Sequence, residues 1–146
     1  MNRIYCGHVT EKLLNETITL SGWVATRRDH GGIIFIDLRD YTGLVQLIFD
    51  PEDKELFANA ESLRSEYVIQ VRGKVRNRFE GKINNDLVTG KIELIISNLI
   101  ILNKSKTPPF KINDLEINED QRLQYRYLDI RSDNMQRNLR FRSKLI

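Results

Sequence analysis

Apolar and polar residues alternate with a two-residue period along most of the chain as far as Leu102, the signature of strands with one buried face. From Thr17 to Arg28, Ile18, Leu20, Gly22 and Val24 share one face. Ile34, Ile36 and Leu38 repeat the pattern and leave Ile33, Phe35, Asp37 and Arg39 on the opposite face; Gly31-Gly32, between the two runs, is a turn signal. Val45, Leu47 and Phe49 form a third run with Gln46 pointing the other way, after a turn at Thr42-Gly43. The period then changes. From Pro51 to Ser65, Leu56, Phe57, Ala60 and Leu63 recur at helical spacing, with Pro51 in a favoured first-turn position. Alternation returns with Val71, Gly73 and Val75 set against Gln70, Arg72, Lys74, Arg76 and Arg78. A last run, Ile92 to Leu102, buries Ile92, Leu94 and Ile96 and turns Glu93 outward.

Three strands, one helix and two strands predict an all-β fold: a five-stranded Greek-key barrel of the oligonucleotide-binding (OB) type, with its helix between strands three and four. A ferredoxin-like fold needs a helix after its first strand, and Gly31-Gly32 leaves no room for one. Beyond Asn103 the character shifts. Lys104 to Pro109 is expected to be an extended linker, because Pro108-Pro109 disfavours both helix and sheet. Asn118 to Tyr127 and Asp133 to Ile146 have helical patterns, the second with Met135, Leu139 and Arg142 on one side. The expected division is a barrel over 1–103, a linker and short helical hinge over 104–131, and a further helix over 132–146. That helix reaches Ile146 without a glycine or proline stop, so more sequence is expected to follow.

Composition narrows the function classes. A chain of 146 residues with 40% apolar content can build one real core. Its formal charge is only +3, from 23 basic and 20 acidic residues, so any polyanion must be met by charge concentrated on one face. The single cysteine, Cys6, provides neither an internal disulfide nor by itself a zinc site, and is expected to be a small, partly buried apolar residue. The start Met-Asn-Arg-Ile-Tyr lacks the apolar run of a leader, and no later stretch is apolar enough to span a membrane, which makes the cytoplasm the default compartment. No Gly-rich phosphate loop, metal-ligand spacing or nucleophile–base constellation is present, and His8 and His30 stand far apart. By itself this stretch is expected to catalyse nothing and to need no cofactor.

What remains is a surface. In OB barrels nucleic acid lies across strands two and three, between the loops joining strands one and two and strands four and five. Arg27, Arg28, His30, Phe35, Gln46, Arg76, Arg78 and Glu93 fall in those places. Phe35 either stacks on a base or packs beneath the Arg78–Gly90 loop as a satellite of the core. Arg72, Lys74, Arg76 and Arg78 either track phosphates or form an ordinary solvated face. A carboxylate accepts the two donors on guanine's pairing edge, an amide serves uracil's donor and acceptor together, and a guanidinium suits cytosine's adjacent acceptors. Glu93, Gln46 and Arg28 thus make a set able to read G, U and C on splayed single-stranded bases.

A family resemblance joins these residues. Leu20-Ser21-Gly22-Trp23-Val24, the run from Arg27-Arg28-Asp29-His30-Gly31-Gly32 through Phe35-Ile36-Asp37-Leu38-Arg39-Asp40, and Gly43-Leu44-Val45-Gln46 resemble the N-terminal domain of bacterial aspartyl-tRNA synthetases. So do Leu63 to Val68, Thr89 to Glu93 and Lys104 to Pro109, while Leu123 to Arg131 resembles the hinge into their catalytic domain. The resemblance implies an aspartate–tRNA ligase, a homodimer that activates aspartate with ATP and magnesium and transfers it to tRNA. The 132–146 helix would then be the first of the class II catalytic domain, and this stretch would be inactive alone. It further implies Arg28 on the third anticodon base, Phe35 stacked on the middle uracil, Gln46 bonded to it and Glu93 on the first base. Arg76 and Arg78 match positions that hold the anticodon-stem backbone, and Arg27 is expected beside them. His30 stands next to Arg28 where many relatives carry leucine; members differ in whether they also charge asparagine tRNA, whose anticodon differs at the third base. The alternatives are the corresponding domain of a lysyl- or asparaginyl-tRNA synthetase, a free-standing single-strand-binding barrel, and, last, a purely structural one.

Overall fold

The computed structural model describes residues 4–114 and 116–146. Met1, Asn2 and Arg3, part of the start that lacks the apolar run of a leader, lie outside the described residues. Two compact units follow one another, Met1–Thr107 and Pro108–Ile146.

The first unit is a closed five-stranded barrel in the order β1-β2-β3-β5-β4. Its strands are β1 (Thr17–His30), β2 (Ile33–Arg39), β3 (Leu44–Phe49), β4 (Val68–Asn77) and β5 (Ile92–Asn103), with helix α1 (Lys54–Glu61) between β3 and β4. Strand β1 serves two neighbours, pairing from Thr17 to Trp23 with β4 and from Trp23 to His30 with β2. A register shift between Val24 and Thr26 marks the changeover. Such an irregularity increases local twist, which a small barrel needs at a corner. The hairpin to β2 turns at Gly31 and Gly32, both with left-handed φ (63° and 79°), a conformation that costs glycine little. The last seam, β3 against β5, is parallel and pairs Leu47 with Leu94 and Ile48 with Ile95.

The alternation places the inner face correctly. Ile34, Ile36, Leu38, Val45, Leu47, Phe49, Val71, Val75 and Leu94 are all fully buried. Helix α1 packs against β2, β3 and β5 and buries Leu56 and Ala60. It is shorter than the Pro51–Ser65 span expected from periodicity. Asp53, not Pro51, sets its start: the carboxylate accepts the Leu56 N–H at 3.0 Å and caps the first turn. Leu63 keeps its helical-period burial although it lies past the helix end.

Cys6, expected to be partly buried, is fully buried. It belongs to a short 3-10 turn, Cys6–His8, tied to the β2–β3 turn by Asp40. One Asp40 oxygen accepts the Cys6 N–H (2.7 Å); the other accepts the Thr42 N–H (2.8 Å) and hydroxyl (2.5 Å). Burial alone raises this carboxyl's pKa, but these hydrogen bonds outweigh it and hold Asp40 below the ordinary aspartate range. A carboxylate depressed in the folded state contributes stability above its unfolded pKa of about 3.9 and loses it as pH falls through the lower folded value. We expect Asp40→Asn to be less stable than the native chain at pH 7 and to show a shallower loss of stability below about pH 4. Urea midpoints measured from pH 7 to pH 2 check this; parallel curves would remove Asp40 from the acid response.

In the second unit, α4 (Asp133–Leu145) is the expected 133–146 helix, while α2 (Glu119–Gln124) and α3 (Arg126–Asp129) stand where a single helix is expected. The predicted helix 118–127 breaks at Tyr125, whose ψ of 47° is not helical. Asn118 and Ser132 cap α2 and α4 by accepting the Gln121 and Met135 N–H groups. Asp129, buried, accepts from Arg122 at 3.2 Å and Arg126 at 2.5 Å. Among the described residues no helix is long and apolar enough to cross a membrane.

Candidate nucleic-acid interface

Register brings most of the expected site residues into one row across the outside of the barrel. Thr26 on β1 lies opposite Asp37 on β2, Asp37 opposite Gln46 on β3, and Glu93 on β5 opposite Arg76 on β4. Gln46 and Glu93 each precede the first pair of the parallel seam, Leu47 with Leu94, so the row crosses the seam there. The side chains are joined end to end. The Thr26 hydroxyl donates to Asp37. Arg28 Nη2 donates to Asp37 Oδ1 (2.9 Å) and to Gln46 Oε1 (3.3 Å). Gln46 Nε2 donates to Glu93 Oε2 at 3.0 Å, and Arg76 Nε donates to Glu93 Oε1 at 2.8 Å.

Depth separates these residues. Arg28 keeps 55% of its side chain exposed, so part of its five-donor fork faces solvent. Gln46 is 8% exposed. Glu93 turns to the outer face as expected but is only 3% exposed, because its own partners cover it. A carboxylate at that depth needs the Arg76 charge and the Gln46 amide together, since an uncompensated buried charge is costly. Each carboxylate oxygen still has a lone pair beyond the bond it already accepts.

Arg78 also departs from expectation. The solvated row of basic residues holds for Arg72 and Lys74, which are exposed, and weakens at Arg76, which is half-buried. Arg78 lies past the end of β4 and is only 8% exposed. Its Nε donates to the Ile92 carbonyl at 3.1 Å, and its buried Nη2 has no hydrogen-bond partner among the described residues. Burial pushes this guanidinium below the usual arginine range, against the opposing pull of Glu93 and Asp37.

Phe35 is half-buried and stands opposite Arg28 in the β1–β2 register and opposite Ile48 in the β2–β3 register. Ile48, on the outer face of β3, is itself buried. Phe35 is not one of the residues packed against the central core. Arg27 and His30 are exposed at the β1–β2 hairpin and join no side-chain contact of the row. Two residues the sequence reading did not single out belong to this surface. Asp37 anchors Arg28, and Phe79, 68% exposed, lies under the Arg76 guanidinium, 5.1 Å from ring centroid to Cζ.

The row is hydrogen-bonded end to end from Thr26 to Arg76, which restricts its rotamers before any ligand arrives while leaving donors and acceptors over. Among the described residues no group of three or more His, Cys, Asp and Glu side chains is placed to hold a metal ion. Donors, acceptors and an aromatic face on an OB barrel suit single-stranded bases.

Comparison with known proteins agrees. A family of OB-fold nucleic acid binding domains, the tRNA anticodon type, matches residues 18–102. Among solved structures, the asparaginyl-tRNA synthetase of Pyrococcus horikoshii complexed with asparaginyl-adenylate superposes with a TM-score of 0.77 at 28% identity, over 90% of this chain and 29% of that one. A putative aspartyl-tRNA synthetase from Leishmania major Friedlin gives 0.77 at 24% identity, over 89% of this chain and 27% of that one. An OBody bound to hen egg-white lysozyme shares the fold at a TM-score of 0.62 and 24% identity, over 70% of this chain and 94% of its own. The chain thus spans less than a third of the synthetases it resembles. It belongs to the tRNA anticodon family of OB-fold nucleic acid binding domains.

Proposed function

We propose that this barrel reads the anticodon of an aspartate tRNA on behalf of a longer aspartate–tRNA ligase. The observation that carries the reading is the connected row Arg28–Gln46–Glu93, whose groups stand in the order that complements C, U and G. Arg28 takes the third base, Gln46 bonds the middle uracil while Phe35 stacks on it, and Glu93 takes the two donors of the first base. Arg27 and Arg76 hold backbone phosphates, with His30 beside the third base. Arg78 joins them only if the β4–β5 loop moves, because its guanidinium now lies buried. ATP, magnesium, aspartate activation and the homodimer belong to the longer protein, and none of that chemistry is assigned to these residues.

A second reading has its own support, the 28% identity to an asparaginyl-tRNA synthetase. The asparagine anticodon, GUU, differs only at the base assigned to Arg28. Binding to labelled stem-loops carrying GUC, GUU and UUU across a salt series separates the two. Preference for GUC, with Arg28→Ala costing most on that RNA, is the expected result. Equal binding of GUC and GUU, with UUU weak, points to a relaxed reader serving both tRNAs. A preference for GUU favours the asparagine reading, and no preference at all leaves a barrel that binds single strands.

A further inference from the structure

We infer that Phe79 is a second stacking platform, for the base immediately 5′ of the triplet, so that the protein grips four nucleotides rather than three. The inference rests on the anticodon reading, which sets the direction of the strand. Along the row the third, middle and first bases fall at Arg28, Gln46 and Glu93, so a strand continuing in that direction next meets Arg76 and then Phe79. Arg76 links the two places physically, with its Nε on Glu93 and its guanidinium over the Phe79 ring. Phe79 is 68% exposed on the β4–β5 loop, set among Arg76, Asn77, Arg78 and Glu80, with no apolar side chain adjacent in sequence. Its burial contributes almost nothing to the core, whereas an exposed ring held on one face by the Arg76 cation has its other face to offer a base. Phosphate between the first base and its 5′ neighbour would pass close to Arg76, whose charge Glu93 only partly consumes through one N–H.

The test is a cycle between one side chain and one base, using the whole chain and short RNAs of sequence UGUCA. In one RNA the 5′ uridine is intact, and in the other it is replaced by an abasic nucleotide. A third RNA, UUUUA, monitors triplet reading. For the native chain, loss of the 5′ base is expected to weaken binding at least about fivefold, the low end of what a stacked base contributes. Phe79→Ala should weaken binding of the intact RNA by a similar factor and bind both RNAs equally, while Phe79→Tyr should behave like the native chain. Retained preference for UGUCA over UUUUA in Phe79→Ala would show that triplet reading is intact. If the abasic RNA loses as much against Phe79→Ala as against the native chain, the inference is overturned and the anticodon reading stands. If the native chain does not prefer UGUCA to UUUUA, the anticodon reading fails and this inference with it.

Discussion

Glu93→Gln is expected to erase the preference for guanine at the first anticodon base and to weaken the barrel as well. The native carboxylate accepts from Arg76 on one oxygen and from Gln46 on the other. An amide at position 93 must turn its NH2 toward one of those donors, so one buried hydrogen bond becomes a donor–donor contact. The expected cost is about 1–3 kcal/mol of stability, the usual range for a buried polar group left without a partner. On the RNA side, guanine presents two donors and an amide accepts at only one atom, so about 1–3 kcal/mol of base discrimination should disappear. Inosine at the first position supplies the control, because it lacks the exocyclic amino group. The native chain should bind the guanine stem-loop roughly tenfold or more tighter than the inosine one, which is about 1.4 kcal/mol, and Glu93→Gln should bind them equally. Undiminished guanine preference in the variant would remove Glu93 from base reading and leave it a structural anchor for Arg76.

The largest effect on stability should come from Phe49→Ala. Phe49 is the largest fully buried side chain and lies opposite Ile34 in the β2–β3 register. Truncating a buried phenylalanine typically costs about 3–5 kcal/mol, part of it from the cavity left behind. Domains of this size have about 5–15 kcal/mol in total, so the variant should sit close to its unfolding midpoint in mild denaturant. Urea titration followed by Trp23 fluorescence measures this, with a lower midpoint and an unchanged slope expected. Saturating RNA should recover part of the lost midpoint, because it binds only the folded barrel. A variant within about 1 kcal/mol of the native chain would mean that the interior collapses around position 49 without a cavity.

The two-residue hairpin turn carries much of the site in the sequence itself. With His30 opposite Ile33, simple counting places Arg28 against Phe35 and Thr26 against Asp37, and both pairs occur. The same count sets Asp37 one pair along from Phe35 on the outer face, within reach of Arg28. Depth was not legible. Alternation assigns Glu93 to the outer side of the sheet, yet side is not exposure: Gln46 and Arg76, from strands distant in sequence, close over it. The burial of Arg78 has a different cause. This arginine lies past Asn77, where β4 ends, so its side chain no longer obeys the strand's alternation. Asp53 outweighs Pro51 as a start signal because proline suits the first turn but supplies no acceptor, whereas an aspartate cap accepts a free N–H. The burial of Cys6 depends on Asp40 and Thr42, contacts from another part of the chain that no local pattern announces.

The parallel seam between β3 and β5 has a consequence for when this protein becomes competent. Its two flanking residues, Gln46 and Glu93, are 47 positions apart in sequence, with α1 and β4 in the segment between them. Closing so long an excursion is an entropic cost met before its contacts form, which makes such pairings slow. On a ribosome emitting the chain from its N-terminus, the Arg28 and Phe35 half emerges first but has no Glu93 to work with. The proposed reading surface is therefore incomplete until the fifth strand is in place, because Glu93 reaches Gln46 and Arg76 only from there.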